Sequence, residues 1–350
     1  MKAYVLHGIN DLQYEEIDEP VLDKDNVLVE VMAAGVCGSD IPRIFETGTY
    51  HFPTIPGHEF AGVVRKVCNK KDSNLIGKRV GVFPLIPCQK CIHCQNKDYE
   101  MCQNYNYLGS RTDGGFAEYV KVPLWNLIPL PDLITFEEAA MLEPLSVAIH
   151  AMSQLEERNV QTLAIYGAGP IGMMLAQVAR AKQVKRVFVI VNKLEQENLA
   201  RKLGFEDICN MKNTDPVEWI LQETNYVGVD AAVEGVGDCN VLGACLNMVK
   251  GKGSILLLAN PKGDYVLDKN TYWKILRKQL ALYGTWNSSF SGTEDNWHNA
   301  LDYLSTHKID IMPLITHKLR FDNLKEGLII MKGKTEFYSK VMIVKREECV

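Results

Sequence analysis

The chain has 350 residues and 47% hydrophobic content, enough to build two domains with packed cores. A formal net charge of -5 with a pI near 6.0 argues against function through bulk attraction to nucleic acid or to an anionic membrane. No stretch reaches the roughly 18 uninterrupted apolar residues of a transmembrane helix, and ten cysteines without another mark of secretion suit a reducing, cytoplasmic setting.

Residues 1–6 read as a strand, with no charged leader, apolar segment and cleavage site. As far as about residue 148, short apolar runs such as 27–31 and 61–67 are punctuated at Gly35, Pro53, Pro56-Gly57 and Gly77, the pattern of a β-rich, barrel-like domain. This stretch carries Cys37, the pair His58-Glu59 and Glu143. One sulfur, one imidazole and one or two carboxylates could bind zinc and leave a position open for substrate. By spacing alone each has an ordinary alternative: Cys37 as apolar filler, His58 as a bonded core histidine, Glu143 as a helix-end carboxylate.

Cys88, Cys91 and Cys94 stand at CxxC spacing, and Cys102 follows within local reach. Four thiolates saturate one tetrahedral ion, so the lobe 87–103 is expected to hold a structural zinc. His93 is then surplus and reads as a solvent-facing loop histidine.

From about residue 149 apolar strands alternate with helix-period segments: 162–166, 171–181, 186–191 and 194–203. A βαβ unit and a parallel sheet follow. The first junction is Gly167-Ala168-Gly169-Pro170-Ile171-Gly172, a GxGxxG between strand and helix. Gly167 permits the tight turn, Gly169 lets backbone approach a pyrophosphate, and Gly172 packs helix on strand, so NAD or NADP is expected at the helix N-terminus. The second strand ends at Asn192-Lys193, without the acid that binds ribose hydroxyls in such units. Either Asn192 bonds the ribose beside a solvated Lys193, or Lys193 and Arg201 accommodate a 2′-phosphate.

Further strands are expected at 229–233 and 253–258. Lys274, Arg277 and Lys278 read as a solvated helical face, and Trp286 as packing where the chain crosses back. Residues 340–345 form a strand that returns to the first domain. There is no internal repeat.

Six segments in order resemble the zinc-dependent medium-chain alcohol and polyol dehydrogenases over nearly the whole length: Cys37-Gly38-Ser39-Asp40, Gly57-His58-Glu59-Phe60-Ala61-Gly62, the four-cysteine run, Asp113-Gly114-Gly115-Phe116-Ala117-Glu118-Tyr119, Glu143-Pro144-Leu145-Ser146 and the GxGxxG. The resemblance implies an α/β protein. A β-rich GroES-like barrel catalytic domain of 1–148 and 286–350 would be interrupted by a Rossmann domain, 149–285, with a doubly wound parallel sheet. It implies an active-site zinc on Cys37, His58 and Glu143, with Glu59 as an alternative or transient ligand, and a structural zinc on Cys88, Cys91, Cys94 and Cys102. The implied reaction passes hydride from a secondary carbinol to the nicotinamide, with Ser39 accepting the substrate proton. Several relatives carry a histidine five residues after the zinc cysteine to pass that proton on; here the position is Pro42.

Segments 37–45, 109–111 and 143–150 are most similar to the subgroup that interconverts galactitol 1-phosphate and tagatose 6-phosphate; Glu143-Pro144 is also similar to sorbitol dehydrogenases. A small polyol phosphate would need cationic anchors, and Arg43 and Arg111 are the candidates, unless each pairs with a neighbouring carboxylate. The family often forms dimers or tetramers, so a homodimer is expected. Two other readings compete. A non-catalytic dinucleotide-binding protein would not need Cys37, His58, Glu143 and Ser39 together, and a zinc-ribbon nucleic-acid binder conflicts with the acidic balance.

Overall fold

The computed structural model describes residues 1–291 and 295–345. The chain forms two units, one of Met1–Pro144, Ser289–Thr306 and the chain from Leu314 on, the other of Leu145–Ser288 and His307–Pro313. These limits differ by a few residues from those expected at 148 and 286. The segment His307–Pro313 also departs from expectation by siding with the second unit. The Gln177 side chain holds it there, donating to Asp310 O and accepting from Asp310 N, both at 2.9 Å.

In the first unit the strand Asn26–Val36 is the hub. It pairs antiparallel with Glu59–Val67, Tyr119–Pro123 and the C-terminal Lys340–Val344. Its run of valine and alanine suits a strand buried on both faces, and two register shifts, at Leu28/Val29 and Val31/Ala33, bend it along its 11 residues. The hairpin of Lys2–Gly8 and Asp11–Glu16 contributes Tyr4 and Leu6 to a core shared with Val29, Phe60, Phe116 and Val341. Full burial of each aliphatic side chain contributes about 1.5–3 kcal/mol. The short antiparallel pair Leu85–Ile86 and Asn106–Tyr107 closes the base of the cysteine lobe.

The second unit is built on a six-stranded sheet, parallel throughout, in the order Ile208–Asn210, Arg186–Val191, Thr162–Tyr166, Val229–Glu234, Val249–Leu257, Ala281–Gly284. Counted along the chain this is 3-2-1-4-5-6, which reverses direction beside the first strand and opens a crevice at the strand ends. Asp230 fixes the central register by accepting from Gln161 N, Thr162 N and the Thr162 hydroxyl.

Two surface expectations are corrected here. Lys278 is only partly solvated: its Nζ donates to Leu246 O, Asn247 O and Val249 O, covering the C-terminal end of the helix Cys239–Met248. Trp286 is 54% exposed rather than packed, because it follows the edge strand Ala281–Gly284. Among the described residues no helix is long and apolar enough to cross a membrane.

Candidate active site

Sheet register explains why residues far apart in sequence meet. Gly35 pairs with Glu59, and Val36 with Val341. Three strand ends therefore converge, and they deliver Cys37, His58-Glu59 and Lys340 to one place. Donor atoms of Cys37, His58 and Glu59 lie within 4.8 Å of one another. Gly35 makes room for this arrangement, since a Cβ there would lie 2.3 Å from Glu59 Oε2.

Glu143, in the first turn of the helix Leu142–Ser153, is buried nearby but is not one of the three mutually close donors. The Tyr107 hydroxyl donates to its Oε1 at 3.2 Å, and the Tyr107 ring meets His58 edge-on at 5.8 Å. Lys340 Nζ sits 2.8 and 2.6 Å from the two Glu59 oxygens. Asp40, fully buried at the start of the helix Asp40–Phe45, accepts from Cys37 N at 3.0 Å and from Arg43 at 2.6 Å. Its Oδ1 lies 3.5 Å from His58 Nδ1, which is buried without a hydrogen bond.

The electrostatics favour a cation. Burial pushes the His58 imidazole down, but Asp40 and Cys37 outweigh it and hold the group well above its ordinary range. Burial pushes the Glu143 carboxyl up to about 7, with His58 opposing and Glu59 adding to the rise. Burial also raises Asp40, and His58 and Arg43 reverse that, leaving it below the usual carboxylate range. A sulfur, an imidazole and carboxylates whose surroundings hold positive charge suit a zinc ion, whose binding would displace protons.

In the lobe, sulfur separations are 3.6 Å for Cys91–Cys94 and 3.9 Å for Cys88–Cys94 and Cys91–Cys102. Four sulfurs at about 2.3 Å from a tetrahedral centre are about 3.8 Å apart, so the spacing fits a single zinc. Backbone N–H groups of Cys94 and Gln103 lower the Cys91 thiol to about 6, whereas burial lifts Cys94 to about 12. Thiols this close ionise together only with a cation among them. His93 lies in the short helix Ile92–Gln95 and is half-buried, so it faces solvent only in part.

Ser39 precedes the helix Asp40–Phe45, yet its hydroxyl makes no capping bond and stays available for other work. Arg43 is committed to Asp40. Arg111 pairs with no carboxylate among the described residues. Its Cζ lies over the rings of Tyr50 and Tyr105, 4.1 and 4.3 Å from their centroids. The sequence did not single out Tyr107 and Lys340, which carry no motif, and Asp40 was legible only as part of Cys37-Gly-Ser-Asp.

In the second unit, Gly167, Gly169 and Asn192 line a cavity of about 500 Å³ at the strand ends, with Gln196, Asp238 and Lys262. Gly167 has φ +122°, and a Cβ on Gly172 would lie 1.9 Å from Gly167 O, so turn and helix contact as the motif requires. A Cβ on Gly169 would meet nothing within 4 Å, and Pro170 opens the helix Pro170–Ala181, whose first N–H groups lack helical partners. Ile171 lies in its first turn. This cradle fits a pyrophosphate. Gln196 braces it, accepting from Asn192 N at 3.0 Å and donating to Ala168 O at 3.3 Å. Arg201 is paired with Glu197 at 2.9 Å, and Lys193 does not line the cavity, so Lys262 is the lining cation.

Two family models match the chain: the alcohol dehydrogenase GroES-like domain over residues 23–132 and zinc-binding dehydrogenase over 170–306. Galactitol 1-phosphate 5-dehydrogenase of Escherichia coli (strain K12) is 31% identical over 317 residues, 90% of this chain and 91% of that one. Sorbitol dehydrogenase of Bacillus subtilis (strain 168) is 31% identical over 335 residues, 94% and 92% of the two chains. The crystal structure of galactitol-1-phosphate dehydrogenase from Escherichia coli matches with a TM-score of 0.91 at 29% identity, covering 98% of this chain and 100% of that chain.

Proposed function

The chain belongs to the zinc-dependent medium-chain alcohol and polyol dehydrogenases, with their GroES-like barrel and Rossmann sheet, and we propose that it interconverts a secondary alcohol of a polyol phosphate and the matching ketose phosphate. Galactitol 1-phosphate and tagatose 6-phosphate are the pair we favour. The observation that carries the reading is the gathering of half-buried Cys37 with buried His58 and Glu59, beside buried Glu143.

Cys37, His58 and a carboxylate, Glu143 or Glu59, would hold the active-site zinc, and Cys88, Cys91, Cys94 and Cys102 a structural one. Bound at these places, zinc supplies a Lewis acid that acidifies the carbinol hydroxyl, and NAD or NADP supplies the hydride acceptor. Asp40 orients the site by holding Cys37 N and facing His58 Nδ1. Ser39 takes the hydroxyl proton. With Pro42 at the place of a relay histidine, and both Glu59 oxygens engaged by Lys340, the proton leaves through water. Gly167, Gly169, Pro170, Ile171 and Gly172 cradle the pyrophosphate, while Asn192 faces the adenosine ribose and Lys193 stays at the rim. The absence of an acid at Asn192 and the presence of Lys262 keep NADP acceptable beside NAD. Arg43 and Arg111 are the candidate phosphate anchors.

We place the protein in the cytoplasm as a homodimer, with a tetramer as the alternative; the edge of Ala281–Gly284, unpaired among the described residues, supports self-association, and sedimentation measures it. The test of function is nicotinamide reduction by zinc-loaded protein on galactitol 1-phosphate, galactitol and sorbitol, each with NAD and NADP. Turnover confined to the phosphate ester supports the reading. Preference for sorbitol, matching the relative from Bacillus subtilis, replaces it with an unphosphorylated polyol.

A further inference from the structure

We infer that Arg111, and not Arg43, binds the phosphate end of the substrate, its guanidinium presented by the rings of Tyr50 and Tyr105. The inference rests on the polyol-phosphate reading above and says which side chain enforces it.

The two arginines differ in what already occupies them. Arg43 donates at 2.6 Å to Asp40, a fully buried carboxylate. Removing that cation would strand a buried anion next to Cys37 and His58, so Arg43 is a positioning residue of the metal site. Arg111 has no such partner among the described residues. Its attachments are the two tyrosine faces and one bond from a terminal nitrogen to Tyr105 O at 3.3 Å. Stacking engages the faces of the guanidinium and leaves its in-plane N–H groups for an anion. Its Nε is buried without a partner, and so is the hydroxyl of the adjacent Thr112. Each is a buried polar atom left unsatisfied where such atoms are ordinarily bonded.

The place is braced, and aromatic contacts join it to the candidate metal residues. His51 contacts Arg111 O at 3.1 Å and Thr49 bonds Ser110 O, so the loop carrying Tyr50 is braced on the turn carrying Arg111. Tyr105 contacts Tyr107 ring to ring at 6.3 Å, and Tyr107 touches both Glu143 and His58. Arg111 is thus linked through the Tyr105 and Tyr107 rings to Glu143 and His58, while Tyr50 is 67% exposed and open to solvent. A phosphate monoester is the anion that matches a planar fork with several unpaired donors.

The test compares kcat/KM for galactitol 1-phosphate with that for galactitol in zinc-loaded wild type, Arg111→Met, Arg111→Lys and Arg43→Lys, with calorimetric binding of galactitol 1-phosphate as a second readout. Loss of charge-assisted bonds should lower the selectivity ratio of Arg111→Met about ten- to hundredfold, with Arg111→Lys between and Arg43→Lys within about twofold of wild type. A wild type that prefers the phosphate ester while Arg111→Met keeps the same ratio and the same affinity overturns the inference and leaves the substrate reading standing. A parallel fall on both substrates also overturns it, since bracing of the loop explains that. A wild type with no preference for the ester overturns the substrate reading and this inference with it.

Discussion

Replacing Lys340 by methionine tests the ion pair that closes the candidate site. The two partners are 4% and 1% exposed, and Nζ lies 2.6 and 2.8 Å from the Glu59 oxygens and 3.4 Å from Val36 O. Burial alone lowers the Lys340 pKa, but Glu59 and Cys37 outweigh it and the net shift is upward, so the ammonium stays charged beside Glu59. At an effective dielectric near 20, unit charges about 2.7 Å apart attract by about 332/(20 × 2.7), or roughly 6 kcal/mol gross. Part of this offsets the desolvation of two ions. Removing one partner of such a pair leaves the other buried and unpaired, and costs about 3–5 kcal/mol. For a unit of this size each kcal/mol corresponds to about 2–4 °C, so Lys340→Met should lower the melting temperature of the barrel unit by about 6–20 °C. Circular dichroism melts of zinc-loaded protein measure it. The double variant with Glu59→Gln should recover at least about 2 kcal/mol, because the stranded charge is gone. A shift below about 2 °C for Lys340→Met, or no recovery in the double variant, refutes the reasoning.

Two further outcomes follow from single side chains. Ser39→Ala should lower kcat at neutral pH by about 10²- to 10⁴-fold while zinc content and dinucleotide affinity hold; undiminished turnover would remove the relay role. Asp230 tests the Rossmann sheet through pH. Burial raises its pKa, but Lys250, Gln161 N–H and Thr162 N–H outweigh that and the net shift is downward. A lowered folded value means that the unfolded chain takes up the proton first. The stabilisation is therefore complete above the unfolded pKa, about 4, and fades as pH falls through the folded value. Urea midpoints of wild type and Asp230→Asn should be far apart at neutral pH and converge in acid, and a constant gap would contradict the assignment.

Much of the site is local and was legible for that reason. The four cysteines lie within 15 residues, and one turn of chain brings their sulfurs to tetrahedral spacing. The glycine run is equally local, since turn, cradle and helix start are consecutive, and the strand Arg186–Val191 was readable because its buried positions 187–191 are all apolar, as in a strand covered on both faces. Less legible were the partners. Arg43 and Arg111 look alike in sequence, and one is spent on Asp40 while the other rests on two rings.

The sequence by itself determined the division into a β-rich part and an alternating α/β part, the cysteine lobe, the dinucleotide loop and, through several motifs in order, the family. These depend on period, spacing and turn chemistry, which act between near neighbours. Only the tertiary structure decided that Lys340 neutralises Glu59, that Tyr107 bonds Glu143, that Glu59 rather than Glu143 lies in the tight donor set, and that 307–313 belong to the second unit. Such pairings join residues up to about 280 positions apart; sheet register fixes the meeting of Glu59 and Lys340, where a one-residue slip would turn either side chain to the opposite face, and helix packing fixes the other two.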